Sequence, residues 1–424
     1  MSRFSSLEAW LQWQENLHPR SIDLGLARVR VVLQKLNPQK RPAPVTITVA
    51  GTNGKGSCVA FLEAIYLAQG YRVGTYTSPH ILTYNERIKI NGVPVTDELI
   101  CQAFSRIDKV REPVSLSYFE FGTLAALDIF SRSQLDVQLL EVGLGGRLDA
   151  VNIIDPAVAI ISSIAIDHVD WLGSTRESIA TEKAGIFRSA TPAIVADLQP
   201  PQTLIDRANQ LQANLFCINQ QFSYHKNSTN WDWFYDEQRF CKLPFPALKG
   251  EHQFRNASAS ILAVTQLQKQ LPVSQTAICQ GLKTAQLMGR FQLIDGEIPI
   301  LLDVAHNPQA VESLLDHLDT YFANQRIQAV FTMMKDKDIL GVISLLKNRI
   351  DNWFIAPLTH PRIASTEMMR DCFKKQGIEQ VWFGFESFSQ TLKAAKKQAG
   401  QGELILIFGS FFLVSAYLVD KKTI

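Results

Sequence analysis

The sequence VTITVAGTNGKGS at residues 45–57 is the most informative stretch of this chain. Val45 to Ala50 is short, apolar and rich in β-branched residues, which predicts a fully buried strand. A glycine-rich turn follows at 51–57, and Cys58 to Gly70 predicts a helix. Because the N–H groups of such a turn and of a helix N-terminus bind phosphate oxygens, we predict a phosphate-binding loop that opens a parallel α/β sheet.

The spacing within this loop departs from the common GxxxxGK[ST] pattern. Two residues, not four, separate Gly51 from Gly54, and Gly56 lies between the lysine and the hydroxyl. We expect Lys55 to reach the β- and γ-phosphates of a nucleotide and Ser57 to meet magnesium. The alternative is a tight glycine turn without a ligand, but the Gly-Lys pair between a strand and a helix argues against it.

Strands and helices alternate along the rest of the chain. A helical stretch is predicted from Ser6 to Asn37, before a proline-rich link, and Phe222 to Leu243 predicts a small antiparallel β excursion. The other predicted strands before residue 292 are Val73 to Tyr76, Val137 to Val142, Val158 to Ser162 and Ala193 to Val195. After a turn-rich stretch at 292–298 they are Ile300 to Asp303, Ala329 to Thr332, Asn352 to Ala356 and Leu404 to Phe408.

We therefore predict an α/β protein of two domains, as its 424 residues also suggest. Residues 1–291 form a P-loop-type ATP-binding domain with a mostly parallel sheet. Residues 292–298 form a linker, and 299–424 form a smaller Rossmann-like α/β domain.

Composition excludes several classes of protein. Forty-two basic and 40 acidic residues give a net charge of +2. The electric field of so small a charge does not favour general binding to nucleic acids. The six cysteines form no Cys-x-x-Cys motif, which argues against zinc or disulfides and favours a reducing compartment. The apolar segment Leu404 to Val419 is too short for a bilayer, and the N-terminus has no signal-peptide pattern. We expect a cytoplasmic protein without nucleic-acid or membrane partners.

Polar residues follow several predicted strands, at the edge where open parallel sheets bind ligands. Ser78 in TSPH follows one strand, and Glu141 ends another before GLGGRLD at 143–149. In the second domain, Asp303 and His306 follow a strand at the start of a helix. For each motif an ordinary loop or a helix cap is the alternative.

Two further polar residues are ambiguous when taken alone. His168 in IDHVD is more often a satisfied core histidine than a ligand, and Lys183 in EKAGIFR is typical of a solvated helix face. They become candidate site residues only because the other motifs occur in the same chain.

Nine motifs in order, spanning nearly the whole chain, resemble those of the folylpolyglutamate synthase and dihydrofolate synthase family of the Mur ligase superfamily. They are GTNGKGS (51–57), TSPH with NERI (77–80, 85–88), LEVGLGGRLDAVN (140–152), IDHVDWLG (166–173), EKAGIFR (182–188), GEHQFRNA (250–257), MGRFQ (288–292), DVAHNP (303–308) and FGSF (408–411). IDLGL (22–26) and SYFEFGTLAAL (117–127) are most similar to bacterial bifunctional members.

The resemblance implies an ATP-dependent ligase with a Mur ligase fold. ATP would phosphorylate the carboxylate of dihydropteroate or of a reduced folate, and the amino group of L-glutamate would attack the acyl phosphate. Two magnesium ions and a carbamylated Lys183 are implied as well, and a monomer is expected.

The resemblance also implies roles for the residues of this chain that occupy the family's motifs. The implied nucleotide contacts are Thr52, Asn53, Gly54, Lys55, Gly56, Ser57, Asn256, Arg290 and Asp303. The implied metal ligands are Ser57, Ser78 and Glu141 for one magnesium, and His168 and Lys183 for the second. The implied substrate-binding residues are Ser78, Pro79, His80, Phe119, Asp149, Ala150, His306 and Ser410. Among them, Phe119, Asp149 and Ala150 resemble the pteroate pocket, and His306 and Ser410 resemble glutamate-side residues. Lys55, Glu141, His168 and Lys183 are the implied catalytic residues.

The chain departs from the family pattern at two positions. Many relatives read FGSFH, whereas this chain has Phe412, and Val151 stands where many relatives carry threonine. Three alternatives remain: extension of polyglutamate tails only, a muramyl-type ligase on UDP-linked substrates, and a non-catalytic nucleotide-binding module. The folate-type loops argue against the muramyl type, and a second domain with DVAHNP argues against the module.

Overall fold

The computed structural model describes residues 2–20, 22–36 and 43–423. Contacts divide the chain into two compact units. The first comprises the chain up to Ala165, Leu172–Ala247 and Phe254–Ala285. The second comprises Ile166–Trp171, Leu248–Gln253 and the chain from Gln286 onward. The linker at 292–298 and its flanking domain boundaries stay a prediction.

An eight-stranded sheet forms the centre of the first unit, with strand order β4-β3-β2-β5-β1-β6-β7-β8. Its strands are β1 (Val45–Ala50), β2 (Val73–Tyr76), β3 (Ile88–Ile90), β4 (Val93–Pro94), β5 (Val137–Glu141), β6 (Val158–Ile161), β7 (Pro192–Val195) and β8 (Asn214–Cys217). In this order, each strand from β2 to β8 pairs in parallel with the next. At the other end of the sheet, β3 pairs antiparallel with β2, and β4 pairs antiparallel with β3. Since β1 lies between β5 and β6, the loops after these strands meet at one edge of the sheet.

The helices between residues 7 and 284 are α1 (Leu7–Glu15), α2 (Ala27–Leu36), α3 (Lys55–Gln69), α4 (Asp97–Arg111), α5 (Tyr118–Arg132), α6 (Val169–Leu172), α7 (Arg176–Lys183), α8 (Gln202–Gln210), α9 (His252–Gln266) and α10 (Gln275–Thr284). Most of them lie in the first unit, whereas α6 falls almost wholly within the segment Ile166–Trp171 of the second unit. Short 3₁₀ turns lie at Tyr84–Arg87, Ala150–Ile153 and Ala184–Ile186.

The N-terminal helical stretch corrects the sequence prediction. It forms two helices: α1 already ends at Glu15, and Pro19 then disfavours helical geometry at His18, so the helix does not continue there. The predicted end at Asn37 and the start of the proline-rich link lie outside the described residues. The helix after the phosphate loop begins at Lys55, three residues before the predicted start.

The antiparallel β excursion is confirmed. Strands β9 (Phe222–Lys226), β10 (Trp231–Tyr235) and β11 (Gln238–Leu243) form a separate three-stranded sheet. Trp231 and Trp233 are fully buried core residues, and their indole N–H groups donate to main-chain carbonyls of Pro244 and Ser258. These two aromatic side chains are therefore part of the hydrophobic core.

The second unit has its own six-stranded sheet, with strand order β12-β13-β17-β14-β15-β16. Its strands are β12 (Gln292–Ile294), β13 (Ile300–Leu302), β14 (Ile327–Phe331), β15 (Asn352–Ile355), β16 (Val381–Trp382) and β17 (Leu404–Phe408). The helices are α11 (Pro308–Tyr321), α12 (Ile339–Leu346), α13 (Thr366–Lys375), α14 (Phe388–Gln398) and α15 (Phe411–Thr423). All pairs are parallel except β12 with β13.

The predicted strands agree with the structure to within two residues at each end, whereas the short strands β3, β4, β8, β12 and β16 were not predicted. The apolar segment at the C-terminus forms buried β17 and then α15, as expected. None of the helices in the described ranges combines the length and the apolar composition of a membrane-spanning segment.

Candidate active site

The phosphate-binding loop connects β1 to α3 at the centre of the first sheet. Gly54 precedes the helix with φ of 87°, in the left-handed region, and a Cβ there would lie 2.7 Å from Oδ1 of Asn256. Glycine is therefore required both by the turn and by the close approach of Asn256. This contact brings Asn256, from the GEHQFRNA motif, to the N-terminus of α3, and its role in nucleotide binding stays a prediction.

Hydrogen bonds to the loop after β6 fix the shape of the phosphate loop. Thr52 Oγ1 both donates to and accepts from the main chain of Ala165, each at 3.0 Å. Asn53 N–H donates to Ser163 Oγ at 2.9 Å, and Ser162 Oγ donates to Asn53 O at 2.6 Å. The loop is thus held in place by hydrogen bonds to the loop after β6.

Lys55 and Ser57 occupy the first turn of α3. The ammonium of Lys55 donates to the carbonyls of Gly51 and Thr52, at 3.0 and 3.1 Å. Ser57 is buried. Both lie where the N-terminus of the helix favours anions, so the turn suits the phosphates of a nucleotide.

Glu141 ends β5 beside this loop and is buried. Its Oε2 accepts a hydrogen bond of 3.2 Å from the N–H of Ser78, which follows β2. Burial raises the pKa of Cys58 to about 12, and the nearby Glu141 carboxylate adds to this shift. Glu141 therefore lies close to the first turns of α3, and Cys58 remains a neutral thiol that is no nucleophile.

The GLGGRLD loop after β5 is organised by Asp149, which is buried. Its oxygens accept from the N–H groups of Leu144 and Val151, at 2.9 and 3.0 Å. Burial raises the pKa of Asp149 to about 6, against the effect of these N–H groups and of the Lys55 charge. Ala150 follows in a 3₁₀ turn that Asp149 caps. The carboxylate thus shapes the loop and lies near the phosphate loop.

Lys183 lies in the last turn of α7 and is 3 % exposed. The helix end is tied to the GLGGRLD loop: Arg147 N–H donates to Glu182 O at 2.7 Å, and the two side chains form a salt bridge of 2.8 Å. This places Lys183 next to the loop after β5, in the unit that holds Glu141.

The ring of Phe119 packs over the backbone of Gly143, where a Cβ would lie 2.6 Å from it. It also lies 5.8 Å from the ring of Tyr76. Phe119 and Asp149 therefore both contact the loop at 143–149. An aromatic face beside a carboxylate suits a planar, hydrogen-bonding ring.

His80 and Pro79 lie in the loop after Ser78. Nδ1 of His80 accepts from Arg87 at 2.8 Å, and burial lowers the pKa of His80 to about 4, with Arg87 adding to the effect. The carboxylate of Glu86 accepts from three consecutive N–H groups, those of residues 81–83. His80 is therefore a neutral ring in a fixed loop.

In the second unit, Asp303 follows β13 and is buried. Its oxygens accept from the N–H groups of Phe291 and Ala305, at 3.0 and 2.7 Å. Burial raises the pKa of Asp303, while the Arg290 charge acts against the shift. Arg290 also lies over the ring of Phe411, at 5.1 Å. Ser410 caps α15 through Leu413 N–H, at 3.2 Å.

His168 and His306 both lie in the second unit, near a buried ion pair that sequence reasoning missed. Lys337 Nζ lies 2.5 Å from Oδ1 of Asp167 and 3.4 Å from Nε2 of His168. His306 Nε2 lies 3.6 Å from Oδ2 of Asp167. Asp167 was visible in IDHVD, but Lys337 in MMKDKD looks like an ordinary charged loop.

The predicted site residues thus fall into two sets. The first unit holds the phosphate loop, Asn256, Ser78, Glu141, Lys183 and the residues of the pteroate set. The second unit holds His168, Arg290, Asp303, His306 and Ser410. The two predicted ligands of the second magnesium, Lys183 and His168, therefore belong to different units.

The donors near the phosphate loop fit a magnesium ion that is shared with a nucleotide. Ser57, Ser78 and Glu141 offer hydroxyl and carboxylate oxygens, which Mg²⁺ prefers. In ranges 2–20, 22–36 and 43–423, no group of three or more His, Cys, Asp or Glu side chains is arranged to hold a metal. Mg²⁺ normally uses one or two carboxylates with phosphates and water, so this donor set suffices.

Two family models match the chain: the Mur ligase middle domain at residues 118–264, and the Mur ligase, glutamate ligase domain at residues 289–411. The chain is 42 % identical over 415 residues to the dihydrofolate synthase/folylpolyglutamate synthase of Escherichia coli strain K12. That alignment covers 97 % of this chain and 94 % of the relative.

Solved structures show the same similarity. E. coli FolC in complex with DHPP and ADP is 41 % identical, with a TM-score of 0.92 and coverage of 99 % of each chain. A bifunctional folylpolyglutamate synthase/dihydrofolate synthase with Mn, AMPPNP and L-glutamate bound is 41 % identical, with a TM-score of 0.90. The alignment covers 99 % of this chain and 98 % of that one.

Proposed function

Because the chain belongs to the dihydrofolate synthase/folylpolyglutamate synthase family of the Mur ligases, we propose that it catalyses both ligations of that family name. It joins L-glutamate to 7,8-dihydropteroate, and it adds L-glutamate to reduced folyl-glutamates, each time with ATP. The supporting observation is that the phosphate loop, Glu141 and the loop at 143–149, which Phe119 and Asp149 contact, follow neighbouring strands at one edge of the first sheet.

Activation of a carboxylate explains the need for ATP. A carboxylate does not react with an amine, because its leaving group would be oxide. Transfer of the γ-phosphoryl group to a carboxylate oxygen forms an acyl phosphate and ADP. The neutral amine of L-glutamate then attacks the acyl carbon, the bond from that carbon to the phosphate oxygen breaks, and the nitrogen loses a proton as inorganic phosphate leaves. No protein nucleophile is required, so catalysis consists of positioning and electrostatic stabilisation.

The residues of the first unit supply this positioning. The N–H groups of the loop from Thr52 to Ser57 hold the triphosphate, and Lys55 exchanges its contacts with loop carbonyls for phosphate oxygens. Asn256 approaches the loop at Gly54. Phe119 stacks on the pterin, and Asp149 keeps the loop at 143–149 in shape.

The two-metal arrangement is the finer part of the proposal. Ser57, Ser78 and Glu141 would hold one magnesium ion, and His168 with carbamylated Lys183 would hold the second. A bound magnesium ion would neutralise charge on the phosphates. Lys183 is buried beside the loop after β5, and a carbamate would convert its ammonium into an anionic oxygen ligand of the kind that magnesium prefers.

The remaining second-unit residues complete the proposal. Arg290 and Asp303 would contact ATP, and His306 and Ser410 would act on the glutamate side. The family resemblance is the only support for a monomer.

Incorporation of L-glutamate, measured together with ATP hydrolysis, tests the proposed function. Dihydropteroate and tetrahydrofolate are assayed in parallel with magnesium and bicarbonate present. We expect turnover on both. Turnover on tetrahydrofolate alone would leave tail extension as the only activity. No turnover on either substrate would favour the muramyl-type or the non-catalytic alternative instead.

A further inference from the structure

Arg87 is a half-buried arginine of the first unit whose charge has no acidic partner within the described part of the chain. Its guanidinium makes one hydrogen bond to the described residues: Nε donates to Nδ1 of His80 at 2.8 Å. The neighbouring carboxylate of Glu86 instead accepts from the N–H groups of residues 81–83. The other N–H groups of the Arg87 guanidinium are therefore available to an anionic ligand.

Three rings hold this guanidinium in place. Its central carbon lies 5.4 Å from the ring centroid of Tyr84 and 5.7 Å from that of Tyr118, and these two rings pack edge to face. The imidazole of His80 is the third ring. Because burial and the Arg87 charge lower the pKa of His80 to about 4, this ring is neutral near pH 7 and accepts at Nδ1. A side chain that is restrained in advance loses less entropy when it binds a ligand.

The neighbours of Arg87 belong to both ends of the proposed acceptor site. Its carbonyl accepts from the N–H of Thr77 at 2.9 Å, so its main chain lies beside Ser78, an implied magnesium ligand. Its side chain contacts Tyr118, which precedes Phe119 in α5. An acceptor with its pterin at Phe119 and its reacting carboxylate at the nucleotide spans these two ends.

The two proposed acceptors differ in the number of their carboxylates. Dihydropteroate has one, and it is the group that reacts. A folyl-glutamate ends in a glutamate residue, which has an α-carboxylate in addition to the γ-carboxylate at the end of its side chain. A guanidinium matches a planar carboxylate with two parallel N–H bonds, so an arginine without an acidic partner suits this additional group.

We propose that Arg87 binds the α-carboxylate of the folyl-glutamate acceptor while the γ-carboxylate is activated. It therefore serves the extension of the glutamate tail and not the ligation to dihydropteroate. This inference rests on the proposed function, because it assigns a specificity-determining residue to one of its two acceptors. Arg87 takes no part in phosphoryl transfer.

The test compares three acceptors in the wild type and in Arg87→Met. They are tetrahydrofolate, its analogue with 4-aminobutyrate in place of glutamate, which lacks only the α-carboxylate, and dihydropteroate. We expect Arg87→Met to raise the KM for tetrahydrofolate about tenfold or more and to change the other two KM values less than about twofold. In the wild type the analogue should already have the higher KM, because removal of either partner removes the same contact.

Two further variants keep the test independent of folding. Arg87→Lys keeps the charge without the paired N–H groups, so its KM for tetrahydrofolate should lie between those of the wild type and Arg87→Met. Arg111→Met is the matched control. Arg111 also lies over an aromatic ring, that of Trp13, at 5.1 Å, but it pairs with Asp108 at 2.9 Å. This variant should lower the melting temperature and leave the ratio of the acceptor KM values unchanged.

Three results would overturn the inference. Equal increases in the KM values for tetrahydrofolate and dihydropteroate would show that Arg87 shapes a part of the site that both acceptors use. An increase in the KM for ATP alone would assign Arg87 to the nucleotide. An analogue with the same KM as tetrahydrofolate in the wild type would show that the α-carboxylate contributes nothing to binding.

The wild-type enzyme separates failure of this inference from failure of the proposed function. If it turns over both natural acceptors, the proposed function stands, and the Arg87 variants alone decide the inference. If it turns over dihydropteroate but not tetrahydrofolate, tail extension and the inference are both wrong. If it turns over neither, the proposed function fails as a whole and the inference fails with it.

Discussion

The N–H of Ser78 donates a hydrogen bond of 3.2 Å to Oε2 of Glu141 and so connects the ends of β2 and β5. The two strands are parallel neighbours, with Tyr76 opposite Leu140. The bond orients the carboxylate of Glu141 at the edge that also carries the phosphate loop. A buried carboxylate in this position suits a magnesium ion on the nucleotide.

Replacement of Glu141 by glutamine should reduce magnesium-dependent turnover about 100-fold or more, because the amide keeps the volume but not the charge. Steady-state assays across magnesium concentrations measure this. Glu63→Gln is the matched control, since Glu63 is also a buried glutamate but bonds to Lys89. Equal losses in the two variants would remove Glu141 from the metal site.

Replacement of Gly54 by alanine should weaken both stability and nucleotide binding. The left-handed backbone costs about 1–2 kcal/mol with a Cβ, and this Cβ would meet Asn256 at 2.7 Å. We expect the KM for ATP to rise about tenfold or more, because displaced loop N–H groups bind phosphate poorly.

Gly70→Ala is the matched control for that variant. Gly70 ends the same helix with φ of 97°, and a Cβ there would meet nothing within 4 Å. It should lose similar stability in denaturant unfolding while keeping its KM for ATP. A similar rise of KM in both variants would show that helix stability, not the Asn256 approach, controls nucleotide binding.

The strand, turn and helix at residues 45–69 were predictable because their signals are local. β1, the glycine turn and the helix are contiguous in GTNGKGS and its flanks, so no knowledge of tertiary structure is needed. The carboxylates of Glu141 and Asp303, at the ends of buried strands, were also visible in the local sequence. A carboxylate that closes an apolar run needs a partner, which marks both residues.

The Asp167–Lys337 pair was not predictable, because 170 residues separate its partners and no local pattern connects them. The break between α1 and α2 was missed for a different reason. The apolar periodicity continues across His18 and Pro19, and there His18 bonds to Asp23 and Ser115 instead of extending a helix.

Replacement of Lys183 by alanine should abolish turnover, and short carboxylates such as formate or acetate should restore part of it. The carbamate is an oxygen ligand, and a small carboxylate can enter the space that the shortened side chain leaves. Rates with added carboxylate measure this. Lys55→Ala is the control and should not be rescued, since its loss is that of a cation.

Stability should fall in mild acid because of His317. This ring stacks on Phe291, with centroids 4.3 Å apart, and burial lowers its pKa to about 4, with Lys249 adding to the shift. The unfolded chain binds a proton below about pH 6.5, whereas the native ring stays neutral until about pH 4. Native stability is therefore lost as pH falls between these values.

His317→Phe tests this dependence, because it keeps the aromatic stack and removes the titration. From pH 7 to pH 5, the wild type should lose about 1 kcal/mol more unfolding free energy than the variant. Urea unfolding at both pH values measures the difference. Parallel curves for the two proteins would show that His317 does not contribute.

Replacement of Phe412 by histidine, the residue that many relatives carry, should change little. Phe412 is 42 % exposed, and its ring centroid lies 4.3 Å from that of His360. An imidazole can make the same ring contact, and an exposed position contributes little to stability. We expect the KM for glutamate and kcat to stay within about twofold of wild type, and the melting temperature to stay within a few degrees.

The length of the polyglutamate product is the more sensitive readout, since a new hydrogen-bonding group at this surface would act on the growing tail. Longer tails or a lower KM in Phe412→His would show that the histidine binds substrate in those relatives and that this chain has lost the contact.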